Sequence, residues 1–162
     1  MTSSSQSAIA EHANDLVLIR RIPASAQTLF RCWTEPALIK QWFVPSPWTI
    51  AHVELDLRAG GQSLIVMQDP EGNQHPNPGV YLEVIPNRRL VFTDAYTAGW
   101  LPTAKPFMTA IISFEPEGEQ TLYTARARHW NAEARQQHLD MGFEQGWGIC
   151  ADQLQALAAQ IA

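Results

Sequence analysis

Between Thr49 and Trp130 the apolar residues recur at every second position; beyond Asn131 they recur every three or four, and this switch of period limits the fold more than any other feature of the chain. The period-two region divides at turn chemistry. Thr49 to Leu57 alternates and ends at Arg58-Ala59-Gly60-Gly61, where two glycines supply positive φ. Gln62 to Gln68 follows and ends at Asp69-Pro70-Glu71-Gly72-Asn73. Val80 to Ile85 and Arg88 to Tyr96 flank Pro86-Asn87, and Phe107 to Phe114 and Gln120 to Trp130 flank the turn Glu115 to Glu119. Successive hairpins place these strands side by side and antiparallel. The last segment, capped by Asn131 and reaching about Ala159, carries Leu139, Phe143, Trp147, Cys150 or Ala151, Leu154, Leu157 and Ile161 on one stripe. It reads as one long helix.

The chain before Thr49 adds a strand and two short helices. Asp15 to Ile22 is rich in β-formers and stops at Pro23. Ser25 is placed as an N-cap, with Ala26, Leu29, Phe30 and Trp33 behind it at helical spacing. Pro36 opens a second turn of helix that sets Leu38 and Trp42 on one face and Ile39 and Phe43 on the next; Pro45 and Pro47 end it. The expected architecture is α+β: a curved antiparallel sheet wrapped around a long C-terminal helix, with two short helices after the first strand. A sheet of that many strands must curl. A deep curl leaves space that one helix cannot fill.

Residues 1–13 are polar and read as a disordered tail; residues 14–162 read as one domain. The tail lacks the basic start and apolar run of a secretory signal, and no apolar stretch approaches a membrane span, so the expected compartment is the cytoplasm. A net charge of −5 argues against nucleic-acid partners and against anionic membranes. Two cysteines, Cys32 and Cys150, are too few for a disulfide scaffold. The five histidines never fall at metal-ligand spacing, and no nucleophile motif or phosphate loop is present, so neither metal nor cofactor is expected. The unusual count is tryptophan, six in 162 residues.

Several segments resemble one family. Asp56-Leu57-Arg58-Ala59-Gly60-Gly61, Val66-Met67 and Asp69-Pro70-Glu71-Gly72-Asn73 resemble its strand–turn–strand signature, and Arg89-Leu90-Val91-Phe92-Thr93 its next strand. Met141-Gly142-Phe143-Glu144-Gln145-Gly146-Trp147, with Asp152 and Leu154, resembles its C-terminal helix; Trp33-Thr34-Glu35-Pro36 and Trp42 resemble its early helices. The family is the one named for the C-terminal domain of the activator of the heat-shock-protein-90 ATPase, within the SRPBCC superfamily. The resemblance covers about residues 15–160. It implies the helix-grip (START-like) fold and a cavity that in several relatives holds lipids, sterols or polyketides; it implies no single activity. The chain departs from the named activator in lacking its separate chaperone-gripping N-terminal domain, which counts against a chaperone partner.

Candidate residues follow from the faces. Trp33, Trp42 and Trp147 lie on core faces of helices, where an indole either packs or walls a cavity. Met67 on its strand, and Phe143 and Cys150 on the helix stripe, extend that wall. Leu90, Phe92, Asp94 and Tyr96 share a strand face, as do Tyr81, Glu83 and Ile85, and as do Tyr123, Ala125, Ala127 and His129. Asp94, Glu83 and His129 are therefore candidate polar or acid–base groups, each with a plainer role at a strand end or in the core. Trp100, beside Gly99 in a loop, is a candidate lid. Gly142, Gly146 and Gly148 each cost about 1 kcal/mol in a helix interior, which asks for close packing, a kink, or room for a guest.

Three functions remain open on these residues. The first is binding of a small hydrophobic or aromatic molecule. The second is a protein-interaction or stress-response module, with a chaperone or a second copy as partner. The third is a polyketide cyclase-like enzyme using Asp94, Glu83, His129 or Tyr81.

Overall fold

The computed structural model describes residues 11–161. Among them the elements run β1 (Asp15–Ile22), α1 (Ala26–Thr34), α2 (Pro36–Ile39), β2 (Thr49–Leu55), β3 (Gln62–Gln68), β4 (Gln74–Ile85), β5 (Arg89–Thr93), β6 (Tyr96–Thr97), β7 (Leu101–Pro102), β8 (Thr109–Glu117), β9 (Gln120–Arg128), α3 (Ala132–Asp140) and α4 (Phe143–Ile161). Most of the expected tail, residues 1–10, lies outside the described residues. None of the described helices is long and apolar enough to cross a membrane.

Seven strands form one antiparallel sheet in the order β1-β9-β8-β5-β4-β3-β2. Each hairpin read from the sequence is a neighbouring pair, and the first strand closes on the last: Asp15 lies opposite Arg128 and Ile22 opposite Thr121. Register shifts at Ile50/His52 in β2 and at Tyr81/Glu83 in β4 bend the sheet. Helix α4 crosses the concave face and packs on β1 and α1, burying Ala151, Leu154, Leu157 and Ala158. Ser25 caps α1 by accepting from the Thr28 amide at 3.1 Å.

Of the boundaries that differ from the sequence reading, three have a clear local reason. The terminal helix is two helices. Asn131 does cap the first, accepting from the Ala134 amide at 2.8 Å, but Gly142 at φ +95° breaks the path before Phe143. A left-handed residue cannot continue an α-helix, and glycine adopts that conformation without steric cost. Strand β4 begins six residues early, at Gln74 rather than Val80, and includes Pro76 and Pro78. These two pair with β3 only, because β5 meets β4 from Val80 onward, so the missing N–H groups fall on an open edge. Strand β5 ends at Thr93, and the expected strand residue Tyr96 belongs instead to the small β6–β7 hairpin.

The join between β1 and the end of the sheet is electrostatic. The buried Asp15 carboxylate receives Arg126 at 2.9 Å and Arg128 at 2.8 Å. Burial pushes its pKa up, but the hydrogen bonds and charges of the two guanidinium groups outweigh that and hold the group below the usual carboxylate range. A carboxylate depressed in the folded state adds stability above its unfolded pKa and loses it as pH falls through the folded value. Asp15→Asn is expected to cost about 2–3 kcal/mol at neutral pH, since it removes the buried negative charge that Arg126 and Arg128 both meet. Urea titrations of both proteins should converge as pH falls below the usual carboxylate range. A difference that stays constant with pH would contradict this account.

Candidate functional site: a hollow between sheet and helices

Trp33 sets the position of the short helices. Its ring packs edge-on against Trp42 at 4.9 Å and Phe43 at 5.4 Å between centroids, and lies 5.8 Å from Phe92 on the sheet. Its indole N–H donates to the Tyr123 hydroxyl on β9 at 3.2 Å, while Trp42 donates to the Cys32 carbonyl at 2.9 Å. Both indole donors are thereby satisfied within the protein. Gln153 of α4 donates to the carbonyls of Trp42 and Val44 at 2.9 and 2.8 Å, fixing the helix against the segment after α2.

A hollow of about 480 Å³ lies between this wedge, the concave sheet face and the α3–α4 corner. Trp33, Trp42, Phe43, Phe92, Phe107 and Tyr123 form one part of its wall, and Met67, Met108, Phe143, Trp147 and Cys150 another. Phe43, Met67, Phe92, Met108, Trp147 and Cys150 are only half-buried although they sit in the interior. Each of them lines the hollow. The rim carries Pro45, His75, Pro76, Asn77 and Pro78 on one side and Met141, 69% exposed, on the other. Gly79 on this wall tolerates no side chain: a Cβ there would stand 2.4 Å from the Thr93 carbonyl oxygen.

Of the candidates read from the sequence, Trp33, Trp42, Met67, Phe92, Asp94, Phe143, Trp147 and Cys150 are gathered on this wall. The others are not. Tyr81 is buried one layer back, edge-on to Phe92 at 6.3 Å, and its hydroxyl bonds Ser63. Burial raises its pKa to about 12. Glu83 is turned to the opposite face, where it accepts from Arg89 at 2.6 Å. The register shift at Leu82 sets Tyr81 opposite Phe92 but Glu83 opposite Val91, so simple alternation fails there. Tyr96 and Trp100 lie outside the hollow, 6.1 Å apart on the exposed β6–β7 tip, with Trp100 against Gly60. Trp100 is thus no lid. His129 is buried, but α3 folds across it and places His138 between it and the space.

Asp94 reaches the wall but is committed. Its carboxylate accepts from the amides of Phe107 at 2.8 Å and Met108 at 3.2 Å, pinning the loop that returns to β8. The Cys150 thiol donates to the Phe43 carbonyl at 3.4 Å, and burial pushes its pKa to about 12, which suits a packed group rather than a nucleophile. The three candidate acid–base residues therefore do not converge. Sequence reasoning missed His138, Phe107, Met108, Phe43 and Tyr123. Phe43 and Tyr123 carried a signal, since each falls on an apolar face of its element; His138, in the polar first half of the last helical segment, carried none, yet it is buried.

Comparison with known proteins bears on this architecture. Residues 23–159 match the family described as Activator of Hsp90 ATPase homolog 1-like protein. The chain belongs to that family. No functionally curated protein matches it significantly. Among solved structures of the family's fold, a protein from Nitrosomonas europaea is 43% identical, with a TM-score of 0.89 over 93% of this chain and 97% of its own. The AHSA1 protein of Silicibacter pomeroyi is 22% identical, with a TM-score of 0.68 over 91% of this chain and 99% of its own. A protein from Staphylococcus epidermidis is 24% identical at a TM-score of 0.77 over 95% and 94%. These last two show the fold alone. The helix-grip, START-like architecture is therefore that of the family.

A half-buried wall residue such as Trp147 should matter less to folding than one as nearly enclosed as Trp33, 4% exposed. Trp33→Ala is expected to cost about 3–5 kcal/mol. Trp147→Ala should cost roughly half as much, because its outer face gains little from burial. Urea unfolding of both variants checks the order; equal costs would indicate that Trp147 is packed all round.

Proposed function

We propose that the protein binds one small, largely aromatic hydrophobic molecule in the hollow, and that holding the molecule rather than converting it is its role. The observation that carries this is the state of the wall. The indole N–H groups of Trp33 and Trp42, the Asp94 carboxylate and the Cys150 thiol are all bonded within the protein, so what faces the space is mainly ring faces and thioethers. Such a surface gains from an apolar guest about 25 cal/mol for each Å² removed from water. The volume falls within the range usual for ligand sites. The acid–base alternative is the weaker one, since Glu83 and His129 lie off the hollow and Asp94 is held by two amides. A second reading, self-association, rests on the exposed tip of Tyr96, Trp100 and Leu101. Light scattering that finds only monomer over the accessible concentration range would remove it.

The neutral dye N-phenyl-1-naphthylamine tests the binding reading, because its emission rises in apolar surroundings. Binding with a Kd on the order of 1–10 µM is expected for a guest of that size. Gly146 offers a matched control. It lines the hollow, and a Cβ added there meets nothing within 4 Å. Gly146→Leu should fill the space, raise the unfolding free energy by about 1 kcal/mol through helix propensity, and weaken dye binding at least about tenfold. A dye that binds the variant as well as the parent sits elsewhere, and that result would overturn the proposal.

A further inference from the structure

The wall of the hollow includes a buried histidine, His138, one of whose ring nitrogens no hydrogen bond reaches among the described residues. His129 Nδ1 lies 2.8 Å from the Asn14 carbonyl oxygen, which can only accept, so this nitrogen carries the proton. In neutral His129 the other nitrogen, Nε2, is then an acceptor. It lies 2.9 Å from His138 Nδ1, which must therefore donate. The chain of hydrogen bonds runs from His138 through His129 to the backbone, and it leaves His138 Nε2 as a bare lone pair. The His138 ring is clamped by Phe107 at 4.7 Å, Phe143 at 5.1 Å and Trp147 at 6.1 Å between centroids. It belongs to the wall of the hollow, whereas His129 does not. The Nδ1 edge faces His129, so the opposite edge, with Nε2, is the one left to the space. Among the described residues no hydrogen bond reaches it, and the side chain is buried. Burial pushes its pKa down to about 4, so the ring is neutral near neutral pH.

We infer that His138 Nε2 is the polar anchor of the site and that the ligand is an aromatic molecule bearing a hydrogen-bond donor, a hydroxyl of the phenol type, which it presents to that nitrogen. This rests on the reading of the hollow as an apolar binding site and adds the one group the ligand must carry. A buried acceptor left unmet is costly, and a hydroxyl meets it while the rest of the guest covers the rings. A guest with a methyl group in place of the hydroxyl leaves the nitrogen dry and unpaired, so the site discriminates against it. Three nearby polar side chains of the wall already have protein partners: Ser63 bonds Tyr81, Thr93 accepts from Thr109 at 3.0 Å, and Tyr123 accepts from Trp33.

The test compares 1-naphthol with 1-methylnaphthalene, a hydroxyl against a methyl of similar size, by equilibrium dialysis on the parent protein and on His138→Phe. The ratio of the two affinities should be about five- to tenfold greater in the parent than in the variant, with 1-methylnaphthalene binding both. An unchanged ratio overturns the anchor and leaves the apolar site standing. Failure of both probes to bind the parent overturns the anchor and the apolar site together. A second measurement does not depend on the variant folding. Imidazole ¹⁵N spectra of the parent at neutral pH should show both histidines protonated at Nδ1, with the His138 Nε2 signal moving when 1-naphthol is added. A proton on His138 Nε2, or a signal that does not respond to saturating 1-naphthol, overturns the inference.

Discussion

The contact on which the rest of the structure depends is the aromatic wedge around Trp33. Trp33, Trp42 and Phe43 pack mutually edge-on, and the wedge is bonded to the sheet through the Tyr123 hydroxyl and to α4 through Gln153. Edge-to-face rings are stiff spacers: they favour centroid separations of roughly 4.5–7 Å and resist collapse. Two conditions hold helix α4: its C-terminal half is tied to α1 and β1, where Leu154 and Ala158 are fully buried, and its first residue, Phe143, packs on Leu16 and Ala127 of the sheet. The hollow is the space between these two conditions. It is a consequence of where the large side chains stand rather than of any loop.

The break at Gly142 completes the arrangement. A single straight helix from Asn131 would carry Phe143 and Trp147 but would leave the space open on the side of β9. Turning the chain at Gly142 lets α3 fold back over the end of β9, and Phe143 and Trp147 stack at 4.8 Å with His138 beside them. The small core of Leu16, Ala127 and Phe143 anchors that corner. Met141, at the turn itself, is left at the rim. One backbone conformation thus links the local sequence to the shape of the wall, and it brings the two histidines together.

Much of this was legible in the sequence because most of it follows from period. The seven long strands, the hairpin pairings and the two short helices come from alternation, turn residues and caps, each a local property; the pairing of β1 with β9 is not local and does not follow from these. Trp33, Trp42, Phe92, Phe143 and Trp147 were readable as wall residues because each sits on the buried face of its element. The failures arise where period is interrupted. The bulge at Leu82 reversed the face of Glu83, and the end of β5 at Thr93 removed Tyr96 from the row that Phe92 begins. The glycines near residue 146 suggested a kink or spare room, and the structure separates them: Gly142 turns the chain and Gly146 borders the hollow. The pairing of His129 with His138 could not be read from spacing, since nine residues and the turn after β9 separate them.

The central claim is that this interior holds accessible empty space with an affinity for apolar matter. Xenon, which binds apolar cavities through dispersion alone and makes no hydrogen bond, tests that claim directly. A crystal of the protein held under xenon pressure is expected to show the gas between Phe92 and Trp147, with little movement of the rings around it. A map in which those rings have closed on each other and no xenon enters would contradict the account.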